Sequence, residues 1–307
     1  MILDVKNLTK TFEKNNKTFT AVDNISFQIN KGECLGIVGE SGSGKSTIAK
    51  MLVRLLNPDS GEINFLGKDL ATANKSELQA TRKDIQMIFQ NPLDSFNPRK
   101  KLKTSVGAGL KYIMGLNKKE IDKKVNEALN LVGLKPEYAD RYINKISGGE
   151  CQRAAIARAI LVEPKLLICD EITSALDVSV QAQIIDLLVD LRNKMNMSYI
   201  FITHDLTLVR YLCDRVLVMY KGNEVESGTA KDIFENPMHP YTKLLLSCIM
   251  TVDNIDENKS ISYEKLQHSG GCKFKEMCPN RMEICNSIKP EIKQINNRNI
   301  RCHLYND

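Results

Sequence analysis

No run of eighteen uncharged apolar residues occurs anywhere in this 307-residue chain, so a membrane-spanning helix is not expected. The opening stretch Met1-Ile2-Leu3-Asp4-Val5-Lys6 has an acid in its fourth place and no apolar run behind it, which predicts no secretory leader. Charge of one sign is also scarce: forty-three Lys and Arg oppose thirty-seven Asp and Glu, for a net +6. The last 72 residues hold ten basic and eight acidic side chains, and the first 235 hold thirty-three and twenty-nine. The surplus is therefore spread out, no basic stripe marks a nucleic-acid protein, and no nucleic-acid partner is expected. Internal repeats and long low-complexity runs are absent as well. What is present is 42% apolar residues, enough to bury a substantial core in a soluble globular chain. At ~150 residues per domain the length suggests about two domains.

Nine cysteines stand out, and their placement is uneven. Cys34, Cys151, Cys169, Cys213 and Cys248 are scattered, whereas Cys272, Cys278, Cys285 and Cys302 crowd into the last 36 residues. With no export signal the expected compartment is the reducing cytosol, where a disulfide set is not expected. The terminal cluster calls for another explanation.

Short β-type runs alternate with amphipathic helical stretches. Val22 to Ile29, Cys34 to Val38, Ile63 to Leu66, Ile85 to Gln90, Leu166 to Cys169 and Tyr199 to Thr203 read as strands. Lys45 to Leu56, Lys119 to Val132, Glu150 to Leu161 and Val180 to Met195 carry apolar residues at three-to-four spacing and read as helices. The unbroken apolar character of Leu166-Leu167-Ile168-Cys169 and Tyr199-Ile200-Phe201-Ile202 predicts strands covered on both faces, hence a parallel sheet in an α/β architecture. Residues from about 91 to 161 read as an inserted helical lobe. Arg215 to Tyr220, a turn at Lys221-Gly222-Asn223 and a return at Glu224 to Glu226 read as a hairpin. The polar, acidic stretch from Thr251 to Ser260 reads as a linker.

The run Gly39-Glu40-Ser41-Gly42-Ser43-Gly44-Lys45-Ser46-Thr47 follows an expected strand and opens an expected helix. Glycines there let the backbone wrap a phosphate, so that successive N–H groups and the positive end of the helix face the anion. Lys45 would neutralise the β- and γ-oxygens of a nucleotide, and the Ser46 hydroxyl would ligate Mg²⁺. Further on, the strand Leu166 to Cys169 ends in Asp170-Glu171, one acid to hold Mg²⁺ and a neighbour, pointing elsewhere, to activate water. Two solvated acids at a strand end are the bland alternative for that pair taken alone.

Between these motifs, Ile146-Ser147-Gly148-Gly149-Glu150-Cys151-Gln152-Arg153 resembles the signature of the ATP-binding subunits of ABC transporters, with Ile146 and Glu150 departing at its two ends. Ser147 can cap the helix that follows and present its positive N-terminus to phosphate. The resemblance implies a P-loop ATPase fold, ATP and Mg²⁺, and a second ATPase subunit whose ATP is met by Ser147, Gly148 and Gly149. It further implies that Gln90 meets Mg²⁺ or water and links the core to the helical lobe. Ser174-Ala175-Leu176-Asp177 would cross the dimer interface, His204 would contact the γ-phosphate, and adenine would stack on Phe12. Catalysis would then fall to Glu171, His204, Lys45 and Gln90. One departure is Ile172, where the family usually has proline; no functional group is lost, and activity is expected to survive. Because Glu171 is retained, the chain does not look like a degenerate subunit.

The stretch Asn236-Pro237-Met238-His239-Pro240-Tyr241-Thr242 and the apolar run after it resemble the C-terminal extension of the peptide and nickel importers. This implies an ABC domain over residues 1–235, an extension over 236–307, and a place on the cytoplasmic face of the membrane. The implied partners are a different ATPase subunit, two membrane permeases and an external solute-binding protein. Cargo would be di- or oligopeptides, or alternatively nickel or a metal chelate. A soluble ABC-type ATPase acting on ribosomes or DNA, and a regulatory subunit without turnover, are readings from other classes. The gaps between Cys272, Cys278, Cys285 and Cys302 are five, six and sixteen residues, and four converging thiolates suit either an iron–sulfur cluster or zinc. Paired Cys-x-x-Cys knuckles are absent, and the family resemblance points to a [4Fe–4S] cluster, with zinc and empty thiols as the alternatives.

Overall fold

A computed structural model describes residues 1–14, 17–250 and 270–305. The apolar run at 166–169 forms the first four residues of β7 (Leu166–Asp170), every residue of which is buried. It lies between β6 (Ile85–Ile88) and β8 (Ser198–Thr203) and runs parallel to both. On the other side of β8 come β3 (Cys34–Val38) and β9 (Arg215–Tyr220), again parallel. Alternate residues of these strands serve opposite faces, which is why no polar alternation appears in the sequence. Leu35, Ile37, Leu166, Ile168, Ile200, Ile202, Leu217 and Met219 enter one core. Cys34, Val38, Leu167, Cys169, Tyr199, Phe201, Val216 and Val218 enter the other.

The first core is closed by an antiparallel sheet and by α1 (Lys45–Leu52). In that sheet β1 (Leu3–Lys14) sits between β2 (Lys17–Ile29) and β4 (Ser60–Phe65), with β5 (Lys68–Asp69) at the edge beyond β4. The second core takes α6 (Gly148–Ile160), α7 (Val178–Met195) and α8 (Leu206–Leu212). It continues into a helical region that includes α3 (Leu102–Val106), α4 (Leu110–Met114) and α5 (Lys118–Leu131), reached after the short α2 (Lys75–Thr81). Helix α5 starts where Asn117 and Glu120 form a reciprocal capping box.

Several elements end earlier than expected. Helix α1 stops at Leu52 rather than Leu56, since Arg54 takes a left-handed φ of 55°. Strand β6 stops at Ile88, so Phe89 and Gln90 belong to the loop beyond it. Strand β1 has no counterpart among the expected strands: irregular pairing at Leu8 and Lys10 breaks its alternation. The hairpin at 215–226 is present as β9 and a longer β10 (Asn223–Thr229). After it come α9 (Ala230–Glu235) and α10 (Pro240–Met250).

The four-cysteine segment also contributes strands. Here β11 (Lys293–Ile295) and β12 (Arg298–Ile300) form a hairpin, and β12 pairs antiparallel with β10. Among the described residues the main sheet thus has eight strands in the order β11-β12-β10-β9-β3-β8-β7-β6. The linker expected at Thr251 to Ser260 lies outside the described residues.

Candidate active site

Parallel register brings the expected residues to one edge of the main sheet. Val38 pairs with Thr203, Asp170 with Ile202, and Ile88 with Cys169. Gly39, Glu171, Gln90 and His204 are therefore all the first or second residue past neighbouring strand ends. Loops beyond the carboxyl ends of parallel strands are where open α/β sheets bind ligands.

The loop from Gly39 to Thr47 is seated by close backbone contacts. A Cβ on Gly39, whose φ is 147°, would stand 2.1 Å from the Met219 carbonyl oxygen. One on Gly44, at φ 103°, would stand 2.2 Å from the Ala21 carbonyl oxygen. Around Gly42 the space is open, and Ser41 is exposed beside it. Helix α1 begins after Gly44 with no side-chain cap, so its first N–H groups point into the loop without a side-chain acceptor. The buried Ser43 hydroxyl likewise has no hydrogen-bond partner among the described residues. An anion in the loop would satisfy both sets of donors, as the phosphate expectation requires. Thr47 follows Ser46 in the first turn of the helix.

Side-chain contacts tie the loop to the two acids. Lys45 is buried, and its ammonium donates to the carbonyls of Gly39 at 2.8 Å and Glu40 at 2.9 Å. Burial lowers its pKa, against the attraction of Glu171, Asp170 and Glu40. The Ser46 hydroxyl donates to Asp170 Oδ1 at 2.8 Å. Burial raises the Asp170 pKa, a shift that the Ser46 hydrogen bond opposes. The Gln90 amide donates to Glu171 Oε2 at 2.8 Å, and Glu171 Oε1 lies 3.9 Å from Lys45 Nζ. Glu171 holds a left-handed φ of 48°, at a cost on the order of 1 kcal/mol. A cavity of about 430 Å³ opens onto Ser46, Lys50, Gln90, Asp94 and Asp170. His204 is exposed just past β8, where the Thr203 hydroxyl accepts from the Asp205 N–H and Asp205 caps α8.

Phe12 stands off from this cluster on the β1–β2 hairpin, paired across the strands with Phe19 and 37% exposed. The same hairpin meets the loop at Ala21, and the Lys10 ammonium lies 5.6 Å from the Phe12 ring centroid. Ser147, Gly148 and Gly149 share no hydrogen bond with the phosphate loop among the described residues. Ser147 caps α6 by accepting from the Glu150 N–H, and Glu150 Oε2 accepts from the Ser147 N–H at 2.7 Å. Gly149 lets α6 approach Val180 of α7, where a Cβ would stand 2.7 Å from Cγ1. Glu150 also accepts from the Tyr138 hydroxyl, so its departure from the family pattern is used in capping. Ile172 is buried in the second core, and its departure adds apolar packing.

The chain also compares as a whole with known proteins. The family pattern for ABC transporters matches residues 22–174, and that for the C-terminal region of oligopeptide/dipeptide transporters matches 225–285. Similarity runs nearly end to end with the di/tripeptide transport ATP-binding protein DppF of Pseudomonas aeruginosa, at 39% identity over 98% of this chain and 97% of that one. The oligopeptide transport ATP-binding protein OppF of Haemophilus influenzae is 43% identical over 97% of this chain and 95% of its own. The chain belongs to the ATP-binding subunits of ABC transporters. Its cassette is an ATPase of the P-loop fold. It resembles a solved dimeric ATP-binding cassette in a post-hydrolysis state with ADP and phosphate, with a TM-score of 0.69 and 28% identity over 75% of this chain and 99% of that one. A cassette from Clostridium perfringens, part of an ABC transporter complex, gives a TM-score of 0.68 at 31% identity, over 83% of this chain and 99% of that one. No helix among the described residues is long and apolar enough to cross a membrane.

The terminal cysteines depart from the expected metal site. Among the described residues no three His, Cys, Asp or Glu side chains converge as metal ligands, which counts against the expected [4Fe–4S] cluster at Cys272, Cys278, Cys285 and Cys302 as well as against the zinc alternative. The four thiols are nevertheless electrostatic neighbours. Burial pushes Cys302 up to about 11, with further contributions from Cys272, Cys278 and Cys285. Burial also raises Cys272, again with Cys285 and Cys278 adding to it. Gly271, at φ 72°, lets the Cys272 N–H reach the Cys285 carbonyl at 2.9 Å; a Cβ there would meet that oxygen at 2.3 Å. Of the scattered cysteines, Cys34, Cys151, Cys169 and Cys213 are buried.

Proposed function

We propose that this ATPase powers the import of di- or oligopeptides through membrane permeases. The observation that carries the reading is the likeness to peptide-transport ATP-binding proteins, which runs through the C-terminal segment as well as the cassette. In this reading the backbone N–H groups of 41–47, the Ser43 hydroxyl and Lys45 bind the phosphates of ATP, and Phe12 stacks on adenine. Ser46, Asp170 and Gln90 would hold Mg²⁺, which when bound screens the phosphate oxygens. Glu171 takes a proton from the attacking water, and His204 contacts the γ-phosphate. The hydrogen bond from Gln90 to Glu171 and the 3.9 Å approach of Lys45 would give way as nucleotide enters. Ser147, Gly148 and Gly149 serve the ATP of a partner cassette in this reading, since among the described residues they share no hydrogen bond with their own chain's loop.

A heterodimer with a second ATPase subunit, two permeases and an external solute-binding protein complete the machine. The chain then sits peripherally on the cytoplasmic face of the membrane. Cys272, Cys278, Cys285 and Cys302 hold a [4Fe–4S] cluster in this reading. What supports this reading is that the four thiols are electrostatic neighbours and that thiolates are the ligands such a cluster takes. The cluster would tie the segment down structurally.

Replacing Glu171 by Gln in the assembled, reconstituted transporter tests the reading. ATP binding should persist, while hydrolysis falls by about 10²-fold or more and uptake of labelled dipeptide stops. Unchanged hydrolysis would overturn the assignment of the base. Nickel uptake without peptide uptake by the unmutated transporter would overturn the cargo. Iron and sulfide analysis after anaerobic purification checks the cluster, and zinc without sulfide would refute it.

A further inference from the structure

We propose that Tyr241 is a positioning residue for the phosphate loop, through which the C-terminal segment sets the chain's affinity for ATP. The proposal rests on the reading of the loop at 39–47 as the ATP site. Tyr241 lies in the first turn of α10, is 1% exposed, and its hydroxyl accepts a hydrogen bond from the Glu40 N–H at 3.0 Å. The two residues are 201 positions apart in the chain. Glu40 is also the residue whose carbonyl accepts from the Lys45 ammonium at 2.9 Å and from the Ser43 N–H at 3.2 Å. The Tyr241 hydroxyl thus fixes, through the Glu40 N–H, the residue whose carbonyl holds both the phosphate-binding lysine and the turn of the loop.

The hydroxyl is itself held in place from several sides. The Tyr241 N–H donates to His239 Nδ1 at 3.0 Å. The Met238 and His239 N–H groups each donate to the fully buried Glu226 carboxylate of β10 at 2.9 Å. The ring of Tyr241 packs 4.6 Å from that of Tyr220 and meets Phe274 edge-on at 5.5 Å. Phe274 follows Cys272 by two residues, so the four-cysteine segment forms part of the wall that aims the hydroxyl. A tyrosine rotates about only two side-chain torsions, and with its ring enclosed its oxygen has little freedom. The loop therefore meets a fixed acceptor, and its bound form is prepared before ATP arrives.

The test is Tyr241→Phe in the full chain, with MgATP affinity measured by calorimetry and amide exchange followed by mass spectrometry. Loss of the hydroxyl should weaken ATP binding about three- to tenfold, the range of one net hydrogen bond. Exchange should quicken in peptides covering 39–47 and stay unchanged in α6. Affinity equal to that of the parent overturns the proposal, and so does a loss matched by equal loosening of α6. Phe274→Leu keeps the hydroxyl and removes the ring edge that steadies it. It should weaken ATP binding in the same direction, and unchanged affinity there would overturn the share assigned to the C-terminal segment. A parent chain that bound no ATP would instead overturn the reading of the loop.

Discussion

Acidification should unfold this protein partly through one imidazole. Burial holds the pKa of His239 down from its usual 6.5 to about 4, against a smaller upward pull from a hydrogen bond to the Arg301 backbone. The ring is therefore neutral in the fold, and its Nδ1 is free to accept from the Tyr241 N–H. In the unfolded chain the ring regains its ordinary proton affinity. The folded state binds fewer protons between those two values, so this contribution is intact above about pH 6.5 and is lost as pH falls towards 4. At about pH 5 the loss amounts to about 2 kcal/mol, a large share of the stability of an ordinary domain. In His239→Asn the side-chain oxygen takes the place of Nδ1 and does not titrate. Urea unfolding of both proteins at about pH 7.5 and pH 5 gives the comparison, and the parent should lose about 2 kcal/mol more than the variant. Asp170, raised by burial, titrates in the opposite sense, but it is common to both proteins and cancels. Equal dependence on pH in the two proteins would refute the argument.

Other substitutions bear on the loop and on the start of α6. Gly44→Ala places a Cβ 2.2 Å from the Ala21 carbonyl at a left-handed φ, and should cost about 2 kcal/mol or more while abolishing ATP binding seen by calorimetry. Ser147→Ala removes the cap of α6 and should cost about 1 kcal/mol in thermal unfolding. The same variant should still bind ATP itself while the assembled transporter loses hydrolysis. Glu150→Gln keeps one oxygen able to complete the capping box but removes the charge near the helix N-terminus and the acceptor for the Tyr138 hydroxyl, so denaturant titration should show a loss of about 1–2 kcal/mol.

The phosphate loop and the Asp170-Glu171 pair were legible because their chemistry is local: glycines, a lysine and two acids at fixed spacing, each beside an apolar strand. Parallel register then assembled them without further instruction. Strand β1 was not legible, because irregular pairing blurs its alternation and Leu3-Asp4-Val5 is buried throughout. The role of Glu150 could have been found, since a serine followed three places later by glutamate is a capping pattern. Tyr241 lies within the motif read at 236–242, but its pairing with Glu40 left no local trace, because only the folded sheet brings the two together. Nor does spacing along the chain reveal how far apart four thiols will stand. That depends on Gly270 and Gly271, both at positive φ, and on the pairing of β12 with β10.

The position of β3 within the main sheet also constrains the order of folding. Its neighbours β8 and β9 come far later in the chain, and the Cys34 N–H finds its acceptor in Asp214, 180 residues on. As the chain leaves the ribosome, the strand that carries the phosphate loop emerges with neither flank available, while the local contacts between α5 and α6 form early. Non-local pairing of this kind is slow, and an apolar strand waiting for it is exposed to aggregation. A nascent chain halted before Met219 would hold every residue of the glycine loop and still lack the carbonyl on which Gly39 must rest.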